Sequence, residues 1–207
     1  MQQHHQSDPR VLGQRTLQKD HPRLASLLRP GMHVLDAGCG TGSITAGIAA
    51  AVGPRGSVTA ARLIQWISEP AEAVRRMAAV TKPGGLVVAL DYNHDLNSWS
   101  PDPPSEFRHF YKAFLDWRSA NGWDNMMGDH LPALFAEAGL RHVDTHIDDE
   151  ITQRGSTIWL HVIQSLGPKI LGNESERAAA EATYRDYLET RLITQRLSLR
   201  TVIGEAC

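Results

Sequence analysis

Seven consecutive residues, Asp36-Ala37-Gly38-Cys39-Gly40-Thr41-Gly42, are the stretch of this sequence best suited to chemistry. They follow a short apolar run, His33-Val34-Leu35, and lead into small residues of helical character from Ile44 to Val52. A buried strand that ends in glycines and enters a helix lets a ligand approach the backbone, because glycine has no Cβ in the way. The dinucleotide fingerprint needs its third glycine three residues after the second, but Ser43 stands there and the glycine falls at Gly42. Nicotinamide and flavin cofactors are therefore disfavoured, and a nucleotide-binding oxidoreductase is the weakest reading. A second group follows the apolar run Leu86-Val87-Val88-Ala89-Leu90: Asp91-Tyr92-Asn93-His94 lies where open parallel sheets bind ligands, at the carboxyl ends of the strands. His94 is the candidate base or substrate contact there, with a solvent-facing loop histidine as its alternative. Phe107, Phe110, Tyr111, Phe114 and Trp117 recur at helical spacing and either wall an acceptor pocket or pack a core. Trp99 and Trp123 flank them. His142, Asp144, His146 and Asp148 share one face of an alternating strand, for which a solvated face is the plainer reading, and no metal is expected.

These groups need a scaffold, and the pattern supplies an alternating one. Residues 1–30 read as a polar arm with a short helix from Pro22 to Leu28. A strand at residues 33–36, a helix to Val52, a strand within Ser57–Ile67, a helix from Glu69-Pro70 to Val80 and a strand at residues 86–90 follow. Strand and helix in alternation predict an α/β fold with a parallel sheet flanked by helices. Beyond a polar loop at 91–104, helices are expected at the aromatic stripe and at Leu131–Ala138, then a strand at His142–Ile151. Helices at Thr157–Ile170 and Ser175–Ile193 and a β segment at Arg196–Val202 complete the expectation of one domain. Its parts are an arm (1–30), a cofactor-binding core (31–90), a loop and helical lid (91–139) and C-terminal strands and helices (140–207).

Val34 to Gly42 resembles the first motif of the class I S-adenosylmethionine-dependent methyltransferases at each position. Ile67-Ser68-Glu69-Pro70, the helix after it and Lys82-Pro83-Gly84-Gly85 resemble that family's fourth strand, helix and turn into the fifth strand. Arg15-Thr16 resembles the arm of its ubiquinone-biosynthesis-like branch. The resemblance implies a Rossmann-like fold with a helical insertion after the fifth strand and an antiparallel C-terminal strand. It implies S-adenosylmethionine as cofactor, held by Asp36, Gly38, Cys39, Gly40, Thr41 and Gly42, with Arg15 pairing its carboxylate and Arg62 beside it. Tyr92, Asn93, Trp99, Phe110 and Tyr111 would then face the acceptor.

One part of the family pattern is missing. Ser57-Val58-Thr59-Ala60 resembles the start of the second strand, whereas Ala61-Arg62-Leu63-Ile64-Gln65-Trp66 resembles the end of the fourth. A strand, helix and strand take ~30 residues or more, so roughly fifty residues of the family pattern are absent. With them goes the acid that accepts hydrogen bonds from the ribose hydroxyls; the first acid after the loop is Glu69. Two solutions are open: this strand takes the second strand's place, or the first helix changes face so that it can stay in the fourth.

The composition bounds the function. Lys and Arg total 21 against 23 for Asp and Glu, which leaves no positive excess for nucleic acid or an anionic membrane and favours a small-molecule partner. Two distant cysteines, Cys39 and Cys207, and a polar N-terminus fit a cytoplasmic protein. Two functions follow. One is methyl transfer to a small-molecule acceptor; the other is a catalytically impaired interaction or regulatory module, which predicts a homodimer through an exposed sheet edge.

Overall fold

The computed structural model describes residues 15–39, 42–52, 56–153 and 157–207, the side chains of 56–58 excepted. They form two compact units: the first comprises residues up to 93 with 126–148 and 199–207, the second 94–125 and 149–198.

The first unit is built on a five-stranded sheet. Its strands are β1 (His33–Ala37), β2 (Gly56–Ala61), β3 (Leu86–Tyr92), β5 (Arg141–Ile147) and β8 (Leu199–Glu205), in the order β1-β2-β3-β8-β5. The first three are parallel, and β8 runs antiparallel to both β3 and β5. β3 is the centre: Val87 to Tyr92 are all buried, as expected of an apolar run covered on both faces. Neighbouring residues on β3 serve opposite faces. Val88 joins Leu17, Leu24, Leu28, Ile44, Ile48 and Val52. These come from α1 (Leu17–Asp20), α2 (Pro22–Leu27), Leu28 and α3 (Ser43–Val52). Val87 and Ala89 join Val74, Met77, Met127, Leu131 and Phe135, from α4 (Pro70–Val80) and α6 (Met127–Glu137).

The strand at the shortened region sits between β1 and β3, with Leu35 opposite Val58 and Val58 opposite Val87. It therefore holds the fourth strand's place. Yet α3 and α4 cover opposite faces while both crossovers step the same way across the sheet. Two such crossovers have opposite hands, so one departs from the right-handed form of about 98% of parallel connections. Neither solution open at the sequence level describes this: the strand keeps the fourth place and the first helix stays on the face opposite α4. A second consequence is at the margin. Among the described residues β1 pairs only with β2, and Leu35 is 54% exposed.

Several boundaries differ from the sequence expectation, each for a local reason. The strand expected across Ser57–Ile67 ends at Ala61, because Arg62 takes a left-handed backbone (φ 56°) and a 3₁₀ turn follows at Ile64–Trp66. The strand expected at His142–Ile151 is two. β5 carries a register shift between Arg141 and Asp144, where His142 has φ 50°, and β6 (Glu150–Gln153) is a separate strand of the second unit. The bulge breaks the alternation on which a His/Asp face depends. His146 Nε2 lies 3.0 Å from Asp144, whereas Asp148 accepts from Thr201 Oγ1 at 2.6 Å and faces Arg23 at 3.5 Å.

The second unit holds a three-stranded antiparallel sheet, β4 (Ser98–Ser100), β7 (Thr194–Leu197) and β6, in the order β4-β7-β6. Its helices are α5 (Ser105–Ala120), α7 (Ile158–Ile170) and α8 (Glu174–Thr190). The last helix stops short of Ile193 because the Ile193 N–H bonds to Ser100 O at 2.9 Å, which begins the β4–β7 pairing. The β segment expected at Arg196–Val202 divides at Ser198, whose N–H is taken by Asn97 Oδ1 at 2.7 Å.

The polar arm expected at 1–30 is, from residue 16 on, a packed element. Thr16 Oγ1 caps α1 by accepting from the Lys19 N–H, and Pro22 opens α2. Between them His21 is fully buried, its Nε2 3.2 Å from Thr59 Oγ1 on β2. Burial, reinforced by the Arg62 charge and opposed by Asp148, lowers its pKa from 6.5 to about 4. The unfolded chain then binds the extra proton first as pH falls. His21 stabilises the fold fully above pH 6.5, and that contribution is lost between 6.5 and about 4. Urea unfolding at pH 7 and pH 4.5 should show a loss of about 2–3 kcal/mol that a His21→Gln variant does not share.

Candidate functional site

The residues expected to meet a cofactor lie at the carboxyl ends of β1, β2 and β3, which the register aligns: Ala37 faces Ala60, and Ala61 faces Leu90. Gly40 and Thr41 lie outside the described residues. On either side of them the chain has the form such a loop requires. Gly38 (φ 74°) and Gly42 (φ 77°) both have left-handed backbones, which side chains disfavour. The Gly42 N–H bonds to Cys39 O at 2.9 Å, and the Ala46 N–H to Gly42 O at 2.9 Å, so the turn runs directly into α3. The two glycines differ in their surroundings. A Cβ at Gly38 would meet the Leu63 side chain at 2.6 Å, whereas one at Gly42 would have nothing within 4 Å. Gly38 thus serves packing as well as turning, and the open side of the loop is at Gly42. Cys39 is exposed beside it.

Asp36 closes this turn from below. Thr45 Oγ1, in the first turn of α3, donates to Asp36 Oδ2 at 2.6 Å, so strand end and helix start are clasped across the glycines. The carboxyl is half-buried; desolvation raises its pKa and the Thr45 bond opposes that. Arg62 follows at the end of β2, tied by its N–H to Leu90 O at 2.7 Å. Its guanidinium is buried, bonds to Asp20 Oδ1 at 3.0 Å, and lies 5.4 Å from the Tyr92 ring centre. Arg62 and Tyr92 are therefore brought together, with Arg62 engaged by a carboxylate of the chain itself. Arg15 is half-buried just before the Thr16 cap.

At the end of β3, Asp91 is buried and accepts from the Gln65 N–H at 3.0 Å, which fixes the 3₁₀ turn after β2. Asn93 is fully buried and donates to Asp129 Oδ2 at 2.6 Å, and Asp129 also pairs with Arg200 at 3.1 Å. Asp20 and Asp129 escape the sequence reading, which places Asp91 at the strand edge without its structural role. No spacing separates them from solvated acids; only their position against strand ends gives them work.

The remaining expected residues belong to the second unit. His94, Asn97 and Tyr111 are linked to one another there. Asn97 Nδ2 donates to Tyr111 Oη at 3.0 Å and lies 3.4 Å from His94 Nδ1, and Tyr111 Oη donates to His94 O at 2.6 Å. His94 is buried edge-on to Phe114 with ring centres 5.6 Å apart. Burial, with the Arg118 charge second, holds its pKa well below the ordinary value, so the imidazole is neutral. Arg118 is itself fully buried, and donates to Asn125 Oδ1 at 2.7 Å and Asp124 O at 3.0 Å; the Asn125 O in turn receives the His94 N–H at 2.7 Å. Trp99 packs edge-on against Phe107, Tyr111 and Trp159, and its indole N–H bonds to Tyr184 Oη at 3.2 Å. Phe110 is fully buried with Phe107, which stacks on Tyr184 at 4.0 Å. The aromatic stripe is largely a core in this unit: Phe107, Phe110 and Phe114 are buried, and Tyr111, Trp117 and the flanking Trp99 are partly exposed.

Among the described residues no group of three or more His, Cys, Asp and Glu side chains is arranged to hold a metal, and no helix is long and apolar enough to cross a membrane.

Comparison with known proteins bears on this arrangement. Residues 16–99 match the profile of the protein-L-isoaspartate(D-aspartate) O-methyltransferase family. No curated protein sequence matches the chain. Among solved structures it is similar to a cyclopropane-fatty-acyl-phospholipid synthase-like protein of Lactobacillus casei, at 14% identity and TM-score 0.54 over 95% of this chain and 92% of that one. It is similar also to the YcgJ protein of Bacillus subtilis, at 16% identity and TM-score 0.52 over 90% and 99%. Against phosphoethanolamine N-methyltransferase 2 of Haemonchus contortus, at 10% identity and TM-score 0.49, it covers 86% of its own length and spans only 50% of that chain. With the glycine turn after β1, the parallel strands under helices and the antiparallel β8, the chain has the Rossmann-like fold shared by these methyltransferase-like structures.

Proposed function

We propose that this chain binds S-adenosylmethionine at the carboxyl edge of its first unit and transfers the methyl group to a small-molecule acceptor. The observation that carries the reading is the turn after β1, with left-handed Gly38 and Gly42, open space beside Gly42 and entry straight into α3. That backbone suits a close-lying amino acid or nucleoside portion. When bound, the cofactor supplies an electrophilic methyl carbon: the acceptor's electron pair forms the new bond as the carbon–sulfur bond breaks, and S-adenosylhomocysteine departs. The protein's contribution is to hold two reactants in line. In this reading the residues flanking Gly40 and Thr41 pass beneath the methionine portion, Asp36 keeps the turn closed through Thr45, and Arg15 meets the carboxylate. Tyr92 and Asn93 end β3 in the first unit, and the partly exposed Trp99 and Tyr111 of the second unit suit an aromatic or apolar acceptor, whereas Phe110 is buried in that unit's core. His94 is assigned as base or substrate contact where the acceptor carries a proton. A reducing, cytoplasmic setting fits two exposed free thiols, Cys39 and Cys207.

The ribose is the weak point of this site. β2 carries no acid, and the residue after it is Arg62. Hydrogen bonds to a charged acceptor contribute ~1.5–3 kcal/mol each, so one or two missing bonds weaken binding by roughly tenfold to ten-thousandfold.

A second reading, a methyltransferase-like interaction module, is favoured by one observation: β1 is an edge strand with Leu35 54% exposed. Unpaired edges recruit strands, and a second copy of β1 is the natural partner for antiparallel pairing about Leu35.

Two measurements test these readings. Calorimetric titration with S-adenosylhomocysteine should give a dissociation constant in the range of roughly 10 µM to 1 mM, and Gly42→Val, which strains the open turn, should abolish the heat. No heat from the parent chain at millimolar ligand would end the first reading. Sedimentation equilibrium should show a dimer that Leu35→Lys dissociates; a monomer at every concentration would end the second.

A further inference from the structure

Asp20 does more than neutralise Arg62. It is the last residue of the one-turn helix α1, and both its oxygens are committed: Oδ1 accepts from Arg62 Nη1 at 3.0 Å, and Oδ2 accepts from the Thr16 N–H at 2.9 Å. Thr16 returns the tie by capping the same helix through the Lys19 N–H at 3.2 Å. The next residue, His21, grips Thr59 on the same strand that Arg62 ends. Leu17, fully buried, packs within 3 Å of where a Cβ on Gly47 of α3 would stand, so this helix is seated on α3 as well as on β2. Both charged partners are nearly inaccessible, at 4% for the Arg62 side chain and 7% for Asp20. Arg62 is moreover held in a left-handed backbone, the conformation that aims its side chain from the strand end back to α1.

A one-turn helix has too few internal hydrogen bonds to hold its own shape, so its position is set by what grips it. What grips it at its start is the Asp20 carboxylate, through Thr16, and the residue before Thr16 is Arg15. We propose that Asp20 is a positioning residue for the cofactor site: bridging Arg62 and the Thr16 N–H, it fixes the start of the N-terminal segment at the strand edge and so places Arg15 for a ligand carboxylate. This inference rests on the methyltransferase reading for its ligand, but the bridge itself is independent of it. It also gives Arg62 a different role from direct contact with cofactor: its charge acts through Asp20.

The test compares two ligands that differ by the group in question. S-Adenosylhomocysteine carries an amino acid carboxylate, and 5′-methylthioadenosine has the same nucleoside thioether without it. Asp20→Asn keeps the shape of the side chain and removes its charge. It should weaken S-adenosylhomocysteine about tenfold while changing 5′-methylthioadenosine less than about twofold. In an Arg15→Gln background, the same substitution should have no further effect on either ligand. Equal weakening of both ligands, or losses that add across the two substitutions, would overturn the proposal, since a merely structural role predicts both. Should Asp20→Asn not fold, Asp20→Glu, which keeps the charge and displaces it, is read by the same comparison. If the parent chain binds neither ligand, the methyltransferase reading has failed rather than the bridge. Hydrogen exchange then decides: the Thr16 amide must exchange at least about tenfold faster in Asp20→Asn, and an unchanged rate rejects the bridge.

Discussion

The pairing of β2 between β1 and β3 is the constraint from which most of this structure follows. Six residues, Gly56–Ala61, hydrogen-bond to a parallel neighbour on each side, and without them the glycine turn after β1 would have no sheet beside it. Their placement imposes two costs. The connections into and out of β2 have opposite hands, because α3 keeps to one face and α4 to the other. The strand that carries the glycine turn also becomes the edge of the sheet, with Leu35 facing outward. Among the described residues no further strand pairs with that edge, and a hydrophobic side chain stays exposed there. The site and the exposed margin are thus two results of one register.

The face beneath α1 and α2 shows how such a sheet is secured at its polar end. Thr59 and Thr201 stand on β2 and β8 in place of aliphatic residues, and each is used: Thr59 meets His21 and Thr201 donates to Asp148. Asp20 and Arg62 complete a buried polar layer at the carboxyl ends of the strands, whereas Val88, Ile44 and Ile48 make the same face apolar lower down. Buried charges are costly to desolvate, and a pair of them holds one geometry only when both are fully engaged. Here the engagement serves order rather than net stability, since a well-packed apolar pair could fill the same volume. That a pair of charges stands there instead is consistent with a need for direction at the strand ends.

Much of the core was legible in the sequence and much of its use was not. The five apolar residues 86–90, Gly38 and Gly42, and the helix opened by Pro70 announce strand, turn and helix by local rules of period and backbone freedom, and they occur where those rules put them. The break at Arg62 was not legible, because nothing in the residue itself favours a left-handed backbone; the tie to Leu90 O and the ion pair with Asp20 impose it. The same is true of the division at Ser198, which depends on Asn97, a residue about a hundred positions away in sequence. Acids such as Asp20, Asp91 and Asp129 look alike on paper. Their difference is tertiary: each sits near a strand end and engages a backbone N–H, a side-chain amide or a cation there.

The second unit follows a different logic, in which aromatic packing replaces a sheet core. Phe107, Phe110, Tyr184 and Tyr187 are fully buried; Trp99 and Trp159 meet Phe107 edge to face, and Trp159 meets Tyr111 and Phe114 in the same way. Edge-to-face contact favours defined ring orientations over simple area burial, so the cluster is a directional framework as well as an apolar one. His94 is set into that framework by three separate ties: its N–H to Asn125 O, its carbonyl to Tyr111 Oη, and its ring against Phe114. Arg118, two turns further along the same helix as Tyr111, holds Asn125 and so holds the first of those ties. An imidazole kept neutral in this way has one protonation state across the physiological range, so its place in the ring framework does not change with pH there.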